Sequence, residues 1–228
     1  MIYIMQTYGR ILLEAMGQTL LLAVLSLAFA TVLGIIFGVL GVVDNKACNW
    51  IERIFADAIR GVPLIVLAFM IYFGLPQLIN NAFNLTSRFT LTALQAGTIS
   101  LALNSGAYMA EIIRAGIRSI PKGQMEASRS LGLSYLTSMR KIILPQAIRV
   151  MIPTIINQFI ITLKDTSILA MIGFPELVNK ARSVISIDAT KIFYVWAVVA
   201  IMYLVVILAL SYTSKALERR LDNGSRKR

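Results

Sequence analysis

The chain has 228 residues, of which 57% are hydrophobic, and it carries a net charge of +11. Its mean hydropathy is +0.75. Soluble domains average about 45–50% apolar residues, so this composition indicates a membrane protein. The single cysteine, Cys48, excludes a disulfide framework and a cysteine-based metal site. The absence of histidine removes the commonest general base and metal ligand, and we expect no metal site.

Five segments are apolar over the roughly 20 residues that a membrane helix needs. They predict transmembrane helices at about 17–43, 61–80, 89–113, 150–173 and 192–214. Their apolar runs are continuous, whereas the strands of a transmembrane barrel alternate. The sequence therefore predicts an all-α integral membrane protein that forms a single domain over residues 1–228.

The basic residues predict how these helices are oriented. With the N-terminus outside, the inner segments 43–60, 111–149 and 215–228 hold 16 of the 22 lysines and arginines. Five others fall outside, and Lys164 lies within the membrane. This split follows the positive-inside rule. We therefore expect an outer N-terminus and a cytoplasmic C-terminus, and the excess positive charge does not indicate nucleic acid.

The first two predicted helices contain clear packing and termination signals. Met1–Gln18 has apolar residues at helical spacing, which is typical either of an amphipathic helix at the interface or of an extension of helix one. The first apolar segment is longer than the roughly 7–15-residue hydrophobic region of a cleavable signal peptide, so we do not expect it to be one. Gly34 and Gly38 form a small-xxx-small face that allows close packing. Gly74-Leu75-Pro76 predicts the outer end of helix two.

Polar residues within helices three and four predict a path through the membrane. Helix three contains Asn104-Ser105, and helix four contains Lys164-Asp165. A charge at a helix centre costs about 2.5–3.5 kcal/mol, and such residues are retained when they pair or line a path. An ion pair between Lys164 and Asp165 is the structural alternative. Arg60 and Glu111–Arg114 are interpreted as membrane-edge charges that orient helices, in preference to the alternative that they contact the substrate.

The basic segment between helices three and four predicts a rigid projection. Pro121 ends helix three, Met125–Leu131 can form a short helix, and Gly132 permits a turn through positive φ. Ser134–Ile143 can form a second short helix, which Pro145 would end before helix four. Four apolar side chains would be exposed without a protein partner, namely Leu131, Leu133, Tyr135 and Leu136.

This projection resembles the EAA loop of ABC-importer permeases. That pattern is Glu-Ala-Ala, three residues, Gly, nine residues, Ile, one residue and Leu-Pro. The residues that fall on it are Glu126, Ala127, Ser128, Gly132, Ile142, Leu144 and Pro145. Ser128 replaces the usual second alanine. The resemblance implies a type I ABC-importer permease fold, with five transmembrane helices and a cytoplasmic pair of coupling helices that docks into an ATPase.

Three further stretches resemble the polar amino acid uptake branch of that family: Arg60–Leu64 with Ile71–Gly74, Asn104–Gly116, and Leu163–Ser167. The resemblance implies a permease subunit that imports a polar amino acid or a derivative across the bacterial cytoplasmic membrane. It also implies that helix four contributes to the substrate cavity, where Asp165 would suit an α-ammonium group. The substrate-binding residues that we predict are Asp165, Lys164, Thr166, Ser167, Asn104 and Ser105.

The expected partners follow from the same resemblance. They are a cytoplasmic ABC ATPase dimer, a second permease copy or a paralogue, an extracytoplasmic amino-acid-binding protein and membrane lipid, with no nucleic acid. The chain has no Gly-x-x-x-x-Gly-Lys-Ser/Thr phosphate loop. We therefore expect that it is not itself an enzyme and binds no cofactor, and that ATP and magnesium are bound by the partner ATPase.

Other functions remain open from the sequence alone. A secondary transporter or channel would need a coupling-ion site or an inverted repeat, and the sequence shows little sign of either. A membrane enzyme would need convergent histidines, cysteines or paired carboxylates, and the sequence shows no such set. The same fold with another cargo, such as an opine, a polyamine or an organic cation, or working as an exporter, is compatible with these residues.

Overall fold

The computed structural model of the protein describes residues 1–84 and 88–225, and these ranges are built from helices without a strand. The α-helices are α1 (Ile2–Leu40), α2 (Lys46–Arg60), α3 (Leu64–Phe69), α4 (Leu75–Phe83), α5 (Ala93–Arg118), α6 (Lys122–Ser130), α7 (Tyr135–Ser138), α8 (Leu144–Asp165), α9 (Leu177–Ile187) and α10 (Ile192–Ser225). Two π-helical turns and two 3₁₀ segments lie between them: Met70–Gly74, Met139–Ile143, Thr166–Ile172 and Ala189–Lys191.

Four stretches of the described chain are long and apolar enough to cross a membrane: Ile2–Leu40, Leu64–Phe83, Tyr135–Ile172 and Ala189–Thr213. The predicted third span corresponds to α5, which does not meet that criterion because its polar residues lower its hydropathy. α5 is nevertheless 26 residues long, and protein buries much of its surface. Small and polar residues are typical of such helix–helix interfaces in membranes. The predicted all-α class is confirmed, and the number of spans stays a prediction.

The centre of the fold is the close, parallel packing of α1 against α5. A Cβ atom added at Gly34 would lie 2.5 Å from the Cβ of Met109. One added at Gly38 would lie 2.8 Å from the Cβ of Ile113. Side chains cannot occupy these positions unless the two helices move apart. The small-xxx-small face predicted from the sequence is therefore confirmed as the α1 side of this interface.

The helix boundaries differ from those predicted at several places. α1 is continuous from Ile2, so the extension interpretation of the N-terminal segment holds. The second predicted span is preceded by α2, which reaches Arg60 before the chain bends at Gly61-Val62-Pro63. The predicted loop over 80–88 and the tail over 215–228 include residues 85–87 and 226–228, which lie outside the described residues.

Two predicted helix ends at prolines are wrong. The helix continues past Pro76 to Phe83, and the chain is helical from Tyr135 through Pro145 into α8. In both cases a π-turn comes immediately before the leucine–proline pair. The N–H of Leu75 donates to the carbonyl of Met70, and the N–H of Leu144 donates to the carbonyl of Met139. The longer hydrogen-bonded ring accommodates a proline that would otherwise kink or break the helix.

The predicted outer loop over 174–191 is mostly helical. Its helix, α9, packs on α1 and α10 through a shared apolar cluster that includes Leu12, Leu177 and Val195. Glu176 caps α9 from a fully buried position and accepts hydrogen bonds from the N–H groups of Val178 (2.9 Å) and Asn179 (2.7 Å). The sequence did not predict α9 because Pro175 was interpreted as a loop signal.

The buried cap also joins three helices. The hydroxyl of Tyr203 on α10 donates to Glu176 (3.1 Å), and Thr19 on α1 accepts from the N–H of Leu177 (3.1 Å). Burial raises the pKa of the Glu176 carboxyl above its ordinary value, and its hydrogen bonds from Val178, Asn179 and Tyr203 counter that shift only in part. α9 is therefore held by a hydrogen-bonded carboxylate as well as by apolar contacts.

The packing of α1 on α5 can be tested with matched glycine substitutions. Gly38→Ala should lower the unfolding temperature of the purified protein by several degrees, because overpacking of this kind costs about 1–3 kcal/mol. The matched control is Gly17→Ala on the same helix, where an added Cβ meets nothing within 4 Å. Equal unfolding temperatures for the two variants would contradict the close packing.

The buried cap of α9 can be tested in the same way. Glu176→Ala should destabilise the protein, since a lost N-cap costs about 0.5–2 kcal/mol and the orphaned Tyr203 hydroxyl adds about 1–3 kcal/mol. Glu14→Ala is the control, because Glu14 is paired with Arg10 only at the surface, where both side chains are mostly exposed. Thermal unfolding in detergent measures both, and a Glu14 effect as large as that of Glu176 would refute this role.

Candidate functional site

The loop between α5 and α8, residues 119–143, consists of two short helices and a tight turn. α6 ends in a Schellman motif, in which the N–H of Leu133 donates to the carbonyl of Ser128 (3.2 Å) and the N–H of Gly132 donates to that of Arg129 (3.0 Å). Gly132 has a φ of 81°, as this motif requires. Ser134 then caps α7 by accepting from the N–H of Thr137 (3.2 Å). The predicted sharp turn is present.

The tip of this loop is apolar. Leu131 and Leu136 are 82% and 73% exposed, and Tyr135 is also exposed. Leu133, which was expected beside them, is half-buried. We call Leu131, Tyr135 and Leu136 the apolar tip. Large apolar side chains grouped on one protruding turn are typical of a surface that another protein covers.

The base of the loop is anchored on the bundle. Ile113 and Ile117 of α5 form an apolar cluster with Ile143, Ala147 and Met151 at the start of α8. Met125 of α6 packs against this cluster, as do Ile142 and Leu144. A force applied to the apolar tip would therefore reach α5 and α8 together.

The residues of the EAA-like pattern take different positions in this loop. Glu126 and Ala127 are exposed on α6, and Pro145 is exposed at the start of α8. Ser128 is buried, and its hydroxyl donates to the carbonyl of Met125 (2.8 Å), which explains why only a small residue fits there. Glu126 forms no ion pair within the described part of the chain, so its carboxylate is free to meet a partner.

The polar residues of the predicted substrate site lie in two environments. Within the α5–α8 interface, the hydroxyls of Ser105 and Thr162 are 2.7 Å apart, and Thr162 also donates to the carbonyl of Gln158 (2.9 Å). Asn104 is buried beside them on α5. Thr166 is fully buried, and its hydroxyl donates to the carbonyl of Leu163 (2.7 Å). The sequence did not single out Thr162, whose position opposite Ser105 only the packing reveals.

Lys164, Asp165 and Ser167 are more accessible. Lys164 is exposed and, with Ser167, lines an open groove of about 400 Å³ beside Trp196 and Tyr203 of α10. Asp165 is half-buried on a different side of α8 and, among the described residues, forms no ion pair with Lys164. The structural alternative of an ion pair between these neighbours is therefore not realised. Of the predicted set, Lys164 and Ser167 lie in this groove, Asn104 and Ser105 lie in the α5–α8 interface, and Asp165 lies in neither.

A cluster of five charged residues joins α2 to α5. We call Glu52, Asp57, Arg60, Glu111 and Arg114 the charge cluster. Arg114 donates to both carboxylate oxygens of Glu111 (2.6 and 2.7 Å), and its Nε lies 3.5 Å from the carboxylate of Glu52. Arg60 lies 3.2 Å from Asp57 and 3.9 Å from Glu111. The sequence interpretation of Arg60 and Glu111–Arg114 as separate membrane-edge charges missed their convergence on Glu52, which is buried on the inner face of the amphipathic α2.

Similarity to known proteins extends over nearly the whole chain. A probable glutamine ABC transporter permease of Bacillus subtilis (strain 168) is 38% identical over 93% of this chain and 94% of its own length. The glutamine transport system permease of Escherichia coli (strain K12) is 36% identical over 92% and 93%. An L-cystine transport system permease of Bacillus subtilis (strain 168) is 35% identical over 96% and 90%.

Solved structures agree with these relatives. A crystal structure of an amino acid ABC transporter with histidines superposes with a TM-score of 0.85 at 34% identity, covering 95% of this chain and 96% of that one. An inward-facing methionine ABC transporter shares the fold, with a TM-score of 0.75 at 21% identity over 93% and 97%. The family model for the inner membrane component of binding-protein-dependent transport systems matches residues 30–223. The chain therefore belongs to the family of binding-protein-dependent transport system inner membrane components.

Proposed function

We propose that the protein is the permease subunit of an ABC importer that carries a polar amino acid across the bacterial cytoplasmic membrane. The observation that carries the proposal is the near full-length similarity to glutamine and cystine permeases, at 35–38% identity. The anchored loop with its apolar tip supports it independently, because a permease without a nucleotide site needs a surface on which a separate ATPase acts.

The proposed complex contains a second permease copy or paralogue, two ATPase subunits and an extracytoplasmic binding protein. ATP and magnesium are bound by the ATPases. In this arrangement the α5–α8 loop faces the cytoplasm, the N-terminus lies outside, and the C-terminus is cytoplasmic. This orientation agrees with the basic residues on the loop side of the membrane.

Coupling follows from the mechanics of the loop. The ATPase surface receives the apolar tip together with Glu126 and Ala127, which are exposed on α6. The other residues of the EAA-like pattern shape the loop and anchor it on the bundle: Ser128, Gly132, Ile142, Leu144 and Pro145. Closure of the ATPase dimer pushes the loop as one body, because the Schellman turn and the apolar cluster at its base leave it little internal freedom. The π-turn at Met139–Ile143 lies where the loop joins α8 and gives that junction a local departure from regular α-helix.

Reconstituted transport tests the proposal. The permease, its ATPase and its binding protein in proteoliposomes should take up a labelled amino acid only with internal ATP and magnesium, and vanadate should abolish the uptake. Uptake that persists without the ATPase would instead support a secondary transporter. Uptake of an opine or a polyamine, with none of any amino acid, would keep the ABC mechanism and refute the cargo.

The coupling role of the turn predicts an effect of Gly132→Val. A β-branched residue is a genuine outlier at positive φ, so the turn should open and displace the apolar tip. ATPase recovered with the tagged permease from mild detergent should fall several-fold, and uptake should fall with it. Gly123→Val is the matched control on α6, where φ is not positive and an added Cβ meets nothing within 4 Å. Equal ATPase recovery by both variants would count against this coupling surface.

The proposed substrate role of Asp165 predicts an effect of Asp165→Asn. The variant keeps the shape of the side chain and removes the charge that would attract an α-ammonium group. Uptake should fall about tenfold, the loss expected from one charge-assisted hydrogen bond, while complex assembly and basal ATP hydrolysis stay unchanged. Asp44→Asn, in the exposed turn between α1 and α2, should leave uptake intact. Unaltered uptake by Asp165→Asn would exclude this role.

A further inference from the structure

The charge cluster has a closed side and an open side. On the closed side, Glu52 is 1% exposed beneath Arg114. On the open side, the side chains of Arg60 and Glu111 are 29% and 31% exposed. Tyr108 is also exposed there, and the guanidinium of Arg60 lies 6.0 Å from the centre of its ring. A cation, an anion and an aromatic ring thus share one accessible surface.

This open side lies near the inner ends of the membrane segments. Arg60 is the last residue of α2, and the apolar stretch Leu64–Phe83 begins four residues later. Tyr108 is 15 residues along α5 from Ala93, which corresponds to roughly 22 Å at the helical rise of 1.5 Å per residue. A charge that faced hydrocarbon there would be unfavourable, though less so than the roughly 2.5–3.5 kcal/mol at a helix centre. The open side therefore faces either water or a protein neighbour.

The long contacts between Arg60 and its carboxylate partners indicate that the open side faces water. Its nearest carboxylate oxygen belongs to Asp57, whose side chain is 73% exposed, and Glu111 is 3.9 Å away and already bound by Arg114. A dry interface would require closer pairing of these charges, since an uncompensated buried charge is strongly destabilising. The open side of the cluster fits a hydrated path better than a sealed contact.

The cluster also lies at a different level from the predicted substrate residues. α5 and α8 are antiparallel, and the contact between Ser105 and Thr162 marks a common level. Asp165 is three residues from Thr162 toward the outer end of α8. Glu111 is six residues from Ser105 toward the loop, or roughly 9 Å along the helix. Glu111, and Arg60 beside it, therefore lie at a level between that of Asp165 and the loop end of the bundle.

We propose that Arg60, Glu111 and Tyr108 form a second, inner binding station for the amino acid on its way to the cytoplasm. The planar guanidinium of Arg60 binds the α-carboxylate, for which its fork is suited. Glu111 accepts a hydrogen bond from the α-ammonium group, and the ring of Tyr108 covers the backbone of the substrate. The 3.9 Å pair between Arg60 and Glu111 is weak enough for a zwitterion to replace it with two closer pairs. The inference rests on the proposed amino acid import and adds a second position along its path.

Binding without the binding protein tests this station. The permease–ATPase complex in nanodiscs is dialysed against labelled L-glutamine, with two analogues as competitors: 4-aminobutanamide, which lacks the α-carboxylate, and N-acetyl-L-glutamine, which lacks the α-ammonium. Arg60→Gln should weaken L-glutamine binding about tenfold, as expected for one charge-assisted contact, and bring it close to that of 4-aminobutanamide. Glu111→Gln should do the same relative to N-acetyl-L-glutamine.

Two further variants separate recognition from folding. Arg60→Lys keeps the positive charge beside Asp57 and loses the planar fork, so it should assemble and still bind L-glutamine more weakly. Arg53→Lys is the matched control, since Arg53 is exposed on the same helix outside the charge cluster. A merely structural role would lower the yield of complex and leave the preference among the three ligands unchanged.

The outcomes are distinct. Wild-type ligand preferences in Arg60→Gln and Glu111→Gln overturn the inner station and leave the import function in place. A wild-type complex that imports amino acids but binds none of them in the dialysis experiment would also overturn the inner station. Absence of vanadate-sensitive uptake of any amino acid by the wild-type system overturns the proposed function, and the inner station with it.

Discussion

The close contact between α1 and α5 is the constraint on which the rest of the bundle depends. Glycines at positions 34 and 38 let the two backbones approach, and every other major element is placed relative to this pair. α9 packs on α1, while α2, α3 and α8 pack on α5. In a bilayer, where burial of apolar surface gives little driving force between helices, such close packing is what holds helices together. The guanidinium of Arg118 then closes the loop end of the pair by donating to the carbonyl of Gly41 (2.7 Å).

The packing of α1 on α5 also makes the α5–α8 loop rigid. Because α5 is fixed along its length, the apolar cluster at its end gives the loop a firm base. The two π-turns also keep helices continuous, since each allows a leucine–proline pair within an unbroken helix. In α8 this continuity means that the loop and the membrane segment are one mechanical unit. A helix ended by Pro145 would have placed a flexible joint between the apolar tip and the polar interface at Ser105 and Thr162.

Much of the fold could be predicted from the sequence, because continuous apolar runs and the EAA-like spacing are local signals. The close packing of Gly34 and Gly38 and the turn at Gly132 followed from the same local information. The helical continuity at Pro76 and Pro145 could not, since proline rules describe regular α-helices and not π-turns. α9 was missed because its stability comes from Glu176, Tyr203 and Thr19, which are far apart in the chain. The charge cluster likewise depends on the packing of α2 against α5, which no spacing of residues along the chain reveals.

The buried carboxylate of Glu176 makes the stability of the fold depend on pH. Because burial raises its pKa, the folded protein takes up a proton there at a higher pH than the unfolded chain does. This contribution to the free energy of unfolding is complete below the ordinary carboxyl pKa and is lost as the pH rises through the raised value. Acidification on the α9 side of the bundle therefore adds to the stability of the fold in this respect.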